Sequence, residues 1–263
     1  MTDVIDALAS EKDVRADGGW ALFLDFDGTL VEIVDRPEAV VVDPGLGETL
    51  TRLEDQLGGA LAIVTGRPIA VIDGFLAPLR FDVAGLHGVE HRLAGRLSPC
   101  CPDEHPRLRA AVRELPDRLP KDPGVLIEDK GCSVAVHWRL APDVGDKAME
   151  VMEETAAVLG PEYRLQGGKA VAEILPARAA KGAIIRYFLE HEPFRGRRPI
   201  FIGDDLTDER GFAAVNESGG VSIRIGREPT SAHRRIDSPA ALRRFLARWA
   251  DEGRIDLQAV PAA

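Results

Sequence analysis

Two carboxylates separated by one residue stand at the end of the first apolar run of the sequence. The run begins at Trp20, has the length of a strand, and leads into Asp25-Phe26-Asp27-Gly28-Thr29. Side chains at positions i and i+2 of an extended segment point to the same side, so both carboxylates are expected where the chain leaves the strand. Gly28 permits a turn that directs backbone N–H groups toward a ligand. Clustered carboxylate oxygens are typical of a Mg²⁺ site.

Three further groups of polar residues occupy comparable positions. Thr65-Gly66-Arg67-Pro68 ends a second apolar run, and the helix beginning at Pro68 is expected to offer free N–H groups to an anion. Gly203-Asp204-Asp205-Leu206-Thr207-Asp208 ends a later run, and Lys181 opens another predicted helix. Ligands of open α/β sheets bind outside the carboxyl ends of the strands. The four groups therefore predict one common site.

The residue types at this predicted site favour hydrolysis of a phosphate monoester. Asp25 is the expected nucleophile and would carry an aspartyl-phosphate. Asp27 is expected to act as general acid and then as general base, so burial is expected to raise its pKa. We expect Mg²⁺ to be held by Asp25, the backbone carbonyl of Asp27 and Asp204. Lys181 and Thr65 are expected to bind the phosphoryl oxygens.

The elements that must position these residues alternate between strands and helices. Strands are predicted at 20–26, 60–64, 81–84, 199–202 and 221–225, with helices at 44–57, 68–76, 181–190, 208–216 and 239–250. This alternation is typical of a parallel sheet with helices on its faces. The residues before Trp20 are expected to form a short helix or a loose tail, and the tail after Gly253 to be disordered.

The middle of the chain has a different pattern. Hairpins are predicted at 91–97, 125–138 and 163–174, and helices at 104–118 and 143–158. We therefore assign residues 1–88 and 177–263 to an α/β catalytic core and residues 89–176 to an inserted α+β domain.

Composition excludes several classes of protein. The formal net charge of −10 argues against general nucleic-acid binding, which needs a basic excess. No apolar stretch is long enough to span a membrane, and the acidic start does not resemble a secretory signal. The cysteines, Cys100, Cys101 and Cys132, are odd in number and include no CxxC pattern. We therefore expect no disulfide or zinc site, and a cytoplasmic location.

The polar groups, taken together, resemble the motifs of the haloacid dehalogenase-like (HAD) phosphatases. The matching residues are Asp25-x-Asp27-Gly28-Thr29, Thr65, Lys181 and Gly203-Asp204-Asp205 with Asp208. From Trp20 to Trp249 the chain is similar to the trehalose-6-phosphate phosphatases. The segments that carry this likeness are Gly85-Leu86-His87-Gly88-Val89-Glu90, Glu128-Asp129-Lys130-Gly131, His137-Trp138-Arg139 and Gly168-Lys169-x-Val171-x-Glu173. The resemblance implies a Rossmann-like HAD core and a C2-type cap formed by the inserted domain.

The resemblance also implies a substrate, trehalose 6-phosphate, and a pathway, trehalose biosynthesis. Glu128, Lys130 and Glu173 would bind the distal glucose, whose hydroxyls both donate and accept hydrogen bonds. Other expected substrate contacts are Gly28, Gly66, Arg67 and His87, with Asp205 and Asp208 supporting the catalytic residues. We expect a monomer that acts on a small sugar phosphate, binds neither nucleic acid nor membrane, and is functionally coupled to a trehalose-6-phosphate synthase.

Three alternatives remain open at this point. The chain could be a phosphatase for another sugar phosphate, such as sucrose phosphate or glucosylglycerol phosphate. It could be an inactive phosphatase-like domain that binds a sugar phosphate or a synthase and regulates it, although such domains typically lose the nucleophile or the acid, and Asp25 and Asp27 are both present. It could also be a phosphomutase, which would return the phosphate to the sugar. Asp208 has a simpler alternative role, as a helix cap.

Overall fold

A computed structural model describes residues 19–34, 36 and 39–263. The predicted helix or tail before Trp20 falls on residues 1–18 and lies outside this range. The larger sheet has eight strands, in the order β12-β11-β10-β1-β2-β3-β4-β5. Their bounds are β1 Trp20–Leu24, β2 Leu61–Val64, β3 Asp82–Gly85, β4 Glu90–Leu93, β5 Arg96–Ser98, β10 Arg198–Gly203, β11 Val221–Ile225 and β12 Arg234–Ile236. The six strands other than β4 and β5 run parallel.

Strand β1 lies at the centre of this sheet because both of its faces are apolar. All five of its residues are buried, and it pairs in parallel with β10 on one side and β2 on the other. Near-continuous apolar runs are what a parallel sheet covered on both faces requires. The helices that accompany this sheet are α1 Leu46–Gln56, α2 Ile69–Phe75, α5 Lys181–Leu189, α6 Glu209–Glu217 and α7 Pro239–Glu252. The predicted α/β core is therefore confirmed.

The inserted unit has a sheet and an apolar core of its own. Its antiparallel sheet has the order β6-β7-β9-β8. The strands are β6 Leu126–Asp129, β7 Val134–His137, β8 Tyr163–Gly168 and β9 Val171–Pro176, and the helices are α3 Pro106–Arg118 and α4 Gly145–Leu159. Buried residues from both helices and from three of the strands form a cluster separate from the main core. This arrangement agrees with an α+β cap.

One predicted hairpin belongs to the other unit. Strand β4 pairs antiparallel with β3, and β5 pairs with β4, so the hairpin predicted at 91–97 extends the larger sheet and is not part of the inserted unit. Arg92 fixes it there through a two-pronged ion pair with Asp73, at 2.7 and 3.0 Å, and a bond to the carbonyl of Phe81. We therefore propose that the cap spans residues 99–176 instead of 89–176.

Two expectations about the periphery were wrong. Residues after Gly253 pack on the core: Ile255, Leu257 and Val260 are buried, and Ala262 bridges to Arg234. Cys100 and Cys132 form a disulfide, with their Cα atoms 6.2 Å apart, because the chain leaving β5 passes the turn between β6 and β7. Cys101 is a free, exposed thiol. Among the described helices, none has the length and apolar character needed to cross a bilayer.

Candidate active site

The side chains of Asp25 and Lys181 meet at the carboxyl end of β1. Asp25 follows this strand directly and is 5% exposed, and the Lys181 Nζ atom lies 2.6 Å from its Oδ1 atom. Thr29 connects Asp25 to Asp204, since its hydroxyl lies 3.4 Å from a carboxylate oxygen of each residue. Asp25 and Lys181 are 156 positions apart in the chain, and Thr29 and Asp204 are 175 positions apart. These side chains nevertheless converge where the parallel strands end.

Asp208 holds this arrangement from behind. It is fully buried, and its Oδ1 atom accepts a bond from Lys181 Nζ at 2.7 Å. Its Oδ2 atom accepts the backbone N–H groups of Asp204 and Asp205, both at 3.0 Å. The Asp208 side chain does not cap the helix that follows it; it binds backbone N–H groups before that helix, and the same carboxylate positions Lys181. Asp205 lies at the surface of the loop, where its Oδ1 atom accepts the N–H of Leu206 at 2.7 Å.

Glycine is needed at position 28 for this geometry. Gly28 has φ of +76°, and a Cβ atom there would lie 2.2 Å from Asp204 Oδ2. The backbone conformation and the space both exclude a side chain. Gly28 thus lies against the carboxylate of Asp204, and in this structure it supports an acid where the sequence suggested a substrate contact.

The acids outnumber the lysine and fit a hard cation. Carboxylate oxygens of Asp25, Asp204 and Asp208 lie within 4.8 Å of one another, and Lys181 supplies one positive charge against three negative ones. Burial raises the pKa of Asp204 to about 7, with Asp208 adding to the shift and Lys181 opposing it. Burial likewise raises the pKa of Asp25, which Lys181 opposes. An all-oxygen cluster with surplus negative charge suits Mg²⁺.

Asp27 is less buried than the sequence suggested. Its carboxylate is 37% exposed and makes a bidentate ion pair with Arg67, with Nε and Nη2 at 2.7 and 2.8 Å. The guanidinium also lies over the ring of Phe75, 5.2 Å from its centroid. The expected enclosure of Asp27 is therefore absent in this state, and Arg67, predicted to bind substrate, binds an acid of the protein.

Thr65 lies in the site, and a carboxylate of the protein binds the first N–H group of the following helix. Thr65 is 1% exposed, and its hydroxyl accepts the N–H of Arg67 at 3.1 Å. The N–H of Ile69, at the start of α2, is bound by the Glu90 carboxylate at 2.6 Å. Glu90 thus occupies one N–H group at this helix start, and the binding of a substrate anion there stays a prediction. The segment 85–90 was noted in the sequence for its family resemblance. The sequence alone did not predict that Glu90 caps this helix, because the contact depends on tertiary structure.

The cap brings an acid and a lysine to the opposite wall. Glu173 is 7% exposed and accepts bonds from Ser133 at 2.7 Å and Lys130 at 3.4 Å, with His87 Nε2 also at 3.4 Å. Burial alone would raise the pKa of Glu173, but Lys130, His87 and Ser133 together hold it well below its usual range. Glu128 lies 2.9 Å from His137 and 3.8 Å from Lys130. The three predicted sugar-binding residues therefore form one charged group.

His87 adopts a rarely populated backbone conformation. Leu86, His87 and Gly88 have φ values of +50°, +56° and +95°. Two adjacent non-glycine residues in the left-handed region mark strain of the kind that collects at functional sites. The strained turn places His87 against Gly66, where a Cβ atom would lie 2.7 Å from Nε2, and under the cap residue Glu173.

A cleft of about 240 Å³ between core and cap is lined by most of the predicted residues. Those in its wall are Asp25, Asp27, Thr65, Gly66, Arg67, His87, Glu128, Lys130, Glu173, Lys181, Asp204 and Asp205, while Gly28 and Asp208 lie behind it. Arg139 and Arg224 also line it and were not predicted. Arg139 belongs to the segment His137-Trp138-Arg139 that carries the family resemblance. Arg224 belongs to none of the sequence motifs, and it donates to the carbonyl of Asp205 at 3.0 Å.

Comparison with known proteins gives the family. A family model described as trehalose-phosphatase matches residues 23–242. A probable trehalose-phosphate phosphatase from Sinorhizobium fredii (strain NBRC 101917 / NGR234) is 46% identical over 93% of this chain and 91% of its own length. The trehalose-6-phosphate phosphatase of Escherichia coli (strain K12) is 38% identical over 88% of this chain and 86% of its own.

A solved structure agrees with both relatives. The crystal structure of a trehalose-6-phosphate phosphatase related protein superposes with a TM-score of 0.75 at 29% identity, covering 89% of this chain and 98% of that one. Family match, sequence identity and fold all extend over nearly the whole described chain, and the chain therefore belongs to the trehalose-phosphatase family.

Proposed function

We propose that this chain hydrolyses trehalose 6-phosphate to trehalose and inorganic phosphate, using Mg²⁺ and an aspartyl-phosphate on Asp25. One observation carries the proposal: Asp25, ion-paired to Lys181, faces the cap residues Lys130 and Glu173 across a single cleft. A nucleophile for phosphate and a polar group for sugar hydroxyls thus share one chamber. The names of the relatives supply the sugar, and the geometry supports the reaction type.

Two displacements at phosphorus account for the reaction. In the first, a carboxylate oxygen of Asp25 bonds to phosphorus while the bond to the sugar oxygen breaks, and Asp27 donates its proton to that oxygen. In the second, water attacks the acyl phosphate, Asp27 accepts a proton from the water, and Asp25 is regenerated. Lys181 and Thr65 bind the phosphoryl oxygens in both steps. The ion pair with Arg67 must open before Asp27 can carry the proton.

The acids at the ends of β1 and β10 are the proposed cation ligands. Asp25, Asp204 and the backbone carbonyl of Asp27 would hold Mg²⁺, which supplies positive charge to the phosphoryl group when bound. Asp208 is less suited to direct coordination, because it is fully buried and its two oxygens accept three hydrogen bonds, two of them from backbone N–H groups.

The decisive experiment is phosphate release from trehalose 6-phosphate and from glucose 6-phosphate, each with Mg²⁺ and with chelator. We expect rapid release only from the disaccharide with Mg²⁺. Equal rates on both sugars would refute the sugar assignment, and full activity in chelator would refute the metal assignment. Conversion to an isomeric sugar phosphate without phosphate release would indicate a mutase.

We also propose a cytoplasmic monomer coupled functionally to a trehalose-6-phosphate synthase. In a reducing cytoplasm Cys100 and Cys132 would persist as two thiols. Light scattering on the purified chain tests the monomer, and co-purification with a synthase tests the coupling.

A further inference from the structure

A second cleft, of about 190 Å³, opens on the side of the active site. It runs between cap strand β8 and the core turn at Leu206, with helix α6 beside that turn. Half of its ten lining residues also line the main cleft, so the two share a wall; the shared residues are His87, Gln166, Gly167, Lys181 and Thr207. The side cleft therefore reaches Lys181, whose Nζ atom is 2.6 Å from the nucleophile Asp25.

The two clefts differ in charge. The lining of the side cleft contains Arg164, Arg210 and Lys181 and, within the described chain, no carboxylate. The wall of the main cleft carries six carboxylates and six lysine or arginine side chains, so its formal charges balance. A phosphate dianion released beside Lys181 is thus attracted toward the excess positive charge of the side cleft.

The two arginines at the mouth are placed by different contacts. Arg164 donates to Gln166 Oε1 at 2.7 Å and to the carbonyl of Ala179 at 2.8 Å, while its buried Nε atom has no partner. Arg210 is exposed, and its backbone packs on α5 at Gly182, where a Cβ atom would lie 2.4 Å from the Arg210 carbonyl oxygen. Burial lowers the pKa of Arg164, and the charge of Arg210 lowers it further. An anion between them would relieve this repulsion.

Three contacts join the core to the cap around the main cleft. Lys130 reaches the carbonyl of Gly66 at 3.2 Å, Arg139 reaches the carbonyl of Val34 at 2.7 Å, and His87 contacts Glu173. Inorganic phosphate formed at Asp25 would be released at the wall that the two clefts share.

We propose that the side cleft binds inorganic phosphate and gives it a way out that does not pass the core–cap contacts. Guanidinium groups suit this ligand, because their planar fork matches two phosphate oxygens. The inference rests on the proposed function, which makes phosphate a product formed at Asp25. Arg210 is the clean probe, since Arg164 also anchors the cap to Ala179.

The test is calorimetric titration of the full chain with inorganic phosphate in the presence of Mg²⁺, repeated at high salt. The variants are Arg210→Lys, Arg210→Gln and Arg210→Glu. The same three changes at Arg113, an exposed arginine on helix α3 that lines neither cleft, are the controls. We expect the phosphate Kd to be raised least by Lys, which keeps the charge but lacks the fork, roughly 3-fold by Gln and roughly 10-fold by Glu, with smaller effects at high salt.

An Arg210 series that matches the Arg113 series would overturn the proposal. The inhibition constant of phosphate against trehalose 6-phosphate turnover should follow the same order. If the wild-type chain did not hydrolyse that substrate, the proposed function would fail, while the titration would still decide whether the cleft binds phosphate.

Discussion

Replacing Asp208 with asparagine is the sharpest test of how the site is held together. The carboxylate accepts three hydrogen bonds, one from Lys181 on Oδ1 and two from backbone N–H groups on Oδ2. Asparagine has one oxygen, and its nitrogen donates. Whichever way the amide is turned, its NH₂ group faces a donor, either Lys181 or the two N–H groups. The side chain at position 208 packs closely against Gly203, where a Cβ atom would lie 2.4 Å from the Asp208 carboxyl carbon, so the amide cannot move in that direction.

The magnitude follows from these bonds. A buried donor left without a partner costs about 1–3 kcal/mol, and breaking one side of a buried ion pair costs about 3–5 kcal/mol. One effect opposes this: the charge of Asp208 raises the pKa of Asp25 and of Asp204, so its removal relieves repulsion among the acids. We expect a net loss of about 3 kcal/mol in the free energy of unfolding. We also expect kcat to fall roughly 100-fold, because Lys181 loses one of its two anchors.

Urea denaturation and steady-state kinetics of Asp208→Asn measure both quantities. Asp205→Asn is the matched control for stability: it makes the same chemical change three residues away, at a half-buried side chain that caps the short turn Leu206–Asp208. Asparagine caps a helix about as well as aspartate, so the control should lie within about 0.5 kcal/mol of wild type. If the two variants were equally stable, the three bonds assigned to Asp208 would not matter.

The remaining predictions concern the nucleophile, the sugar and the disulfide. Asp25→Asn should abolish turnover and labelling by beryllium fluoride; residual turnover would place the nucleophile elsewhere. Glu173→Ala should lower kcat/KM for trehalose 6-phosphate by roughly 100-fold and for a small aryl phosphate by less than about 5-fold; equal losses would mean that Glu173 does not bind sugar. Cys100→Ser should lower the free energy of unfolding of the oxidised protein by about 2–4 kcal/mol, because the bridge closes a long loop, whereas Cys101→Ser should leave it unchanged.

The convergence of the site could be predicted because it follows from topology. Asp25, Thr65 and Asp204 each stand where an apolar run ends, and parallel strands bring such ends to one edge of the sheet. The central position of β1 between β2 and β10 then places Asp25 among them. Sequence order and strand direction are sufficient for this inference, and no side-chain detail is needed.

Side-chain pairing inside the site could not be predicted in the same way. The partner of Asp27 is Arg67, 40 residues away, and their pairing depends on the side-chain directions of two loops. Glu90 belongs to the segment 85–90 that carries the family resemblance, but its role as a cap was not predicted. Its bond to the start of α2 forms only when β4 has joined the larger sheet. The hairpin of β4 and β5 has the same pattern whichever sheet it joins, so its placement needed the pairing itself. The disulfide likewise depends on the path of a linker that no periodicity describes.

The groups proposed to bind sugar also close the cap, and this links substrate choice to closure. Lys130 is bonded at once to Glu173 in the cap and to the carbonyl of Gly66 in the core. Glu173 in turn contacts His87 of the core. A distal glucose that binds Lys130 and Glu173 must replace some of these bonds with its own hydroxyls. Glucose 6-phosphate has no second ring. It would therefore make no hydrogen bonds to Lys130 and Glu173, and the contacts between cap and core would stay as they are. Discrimination then arises from the free energy of closure as well as from direct contact.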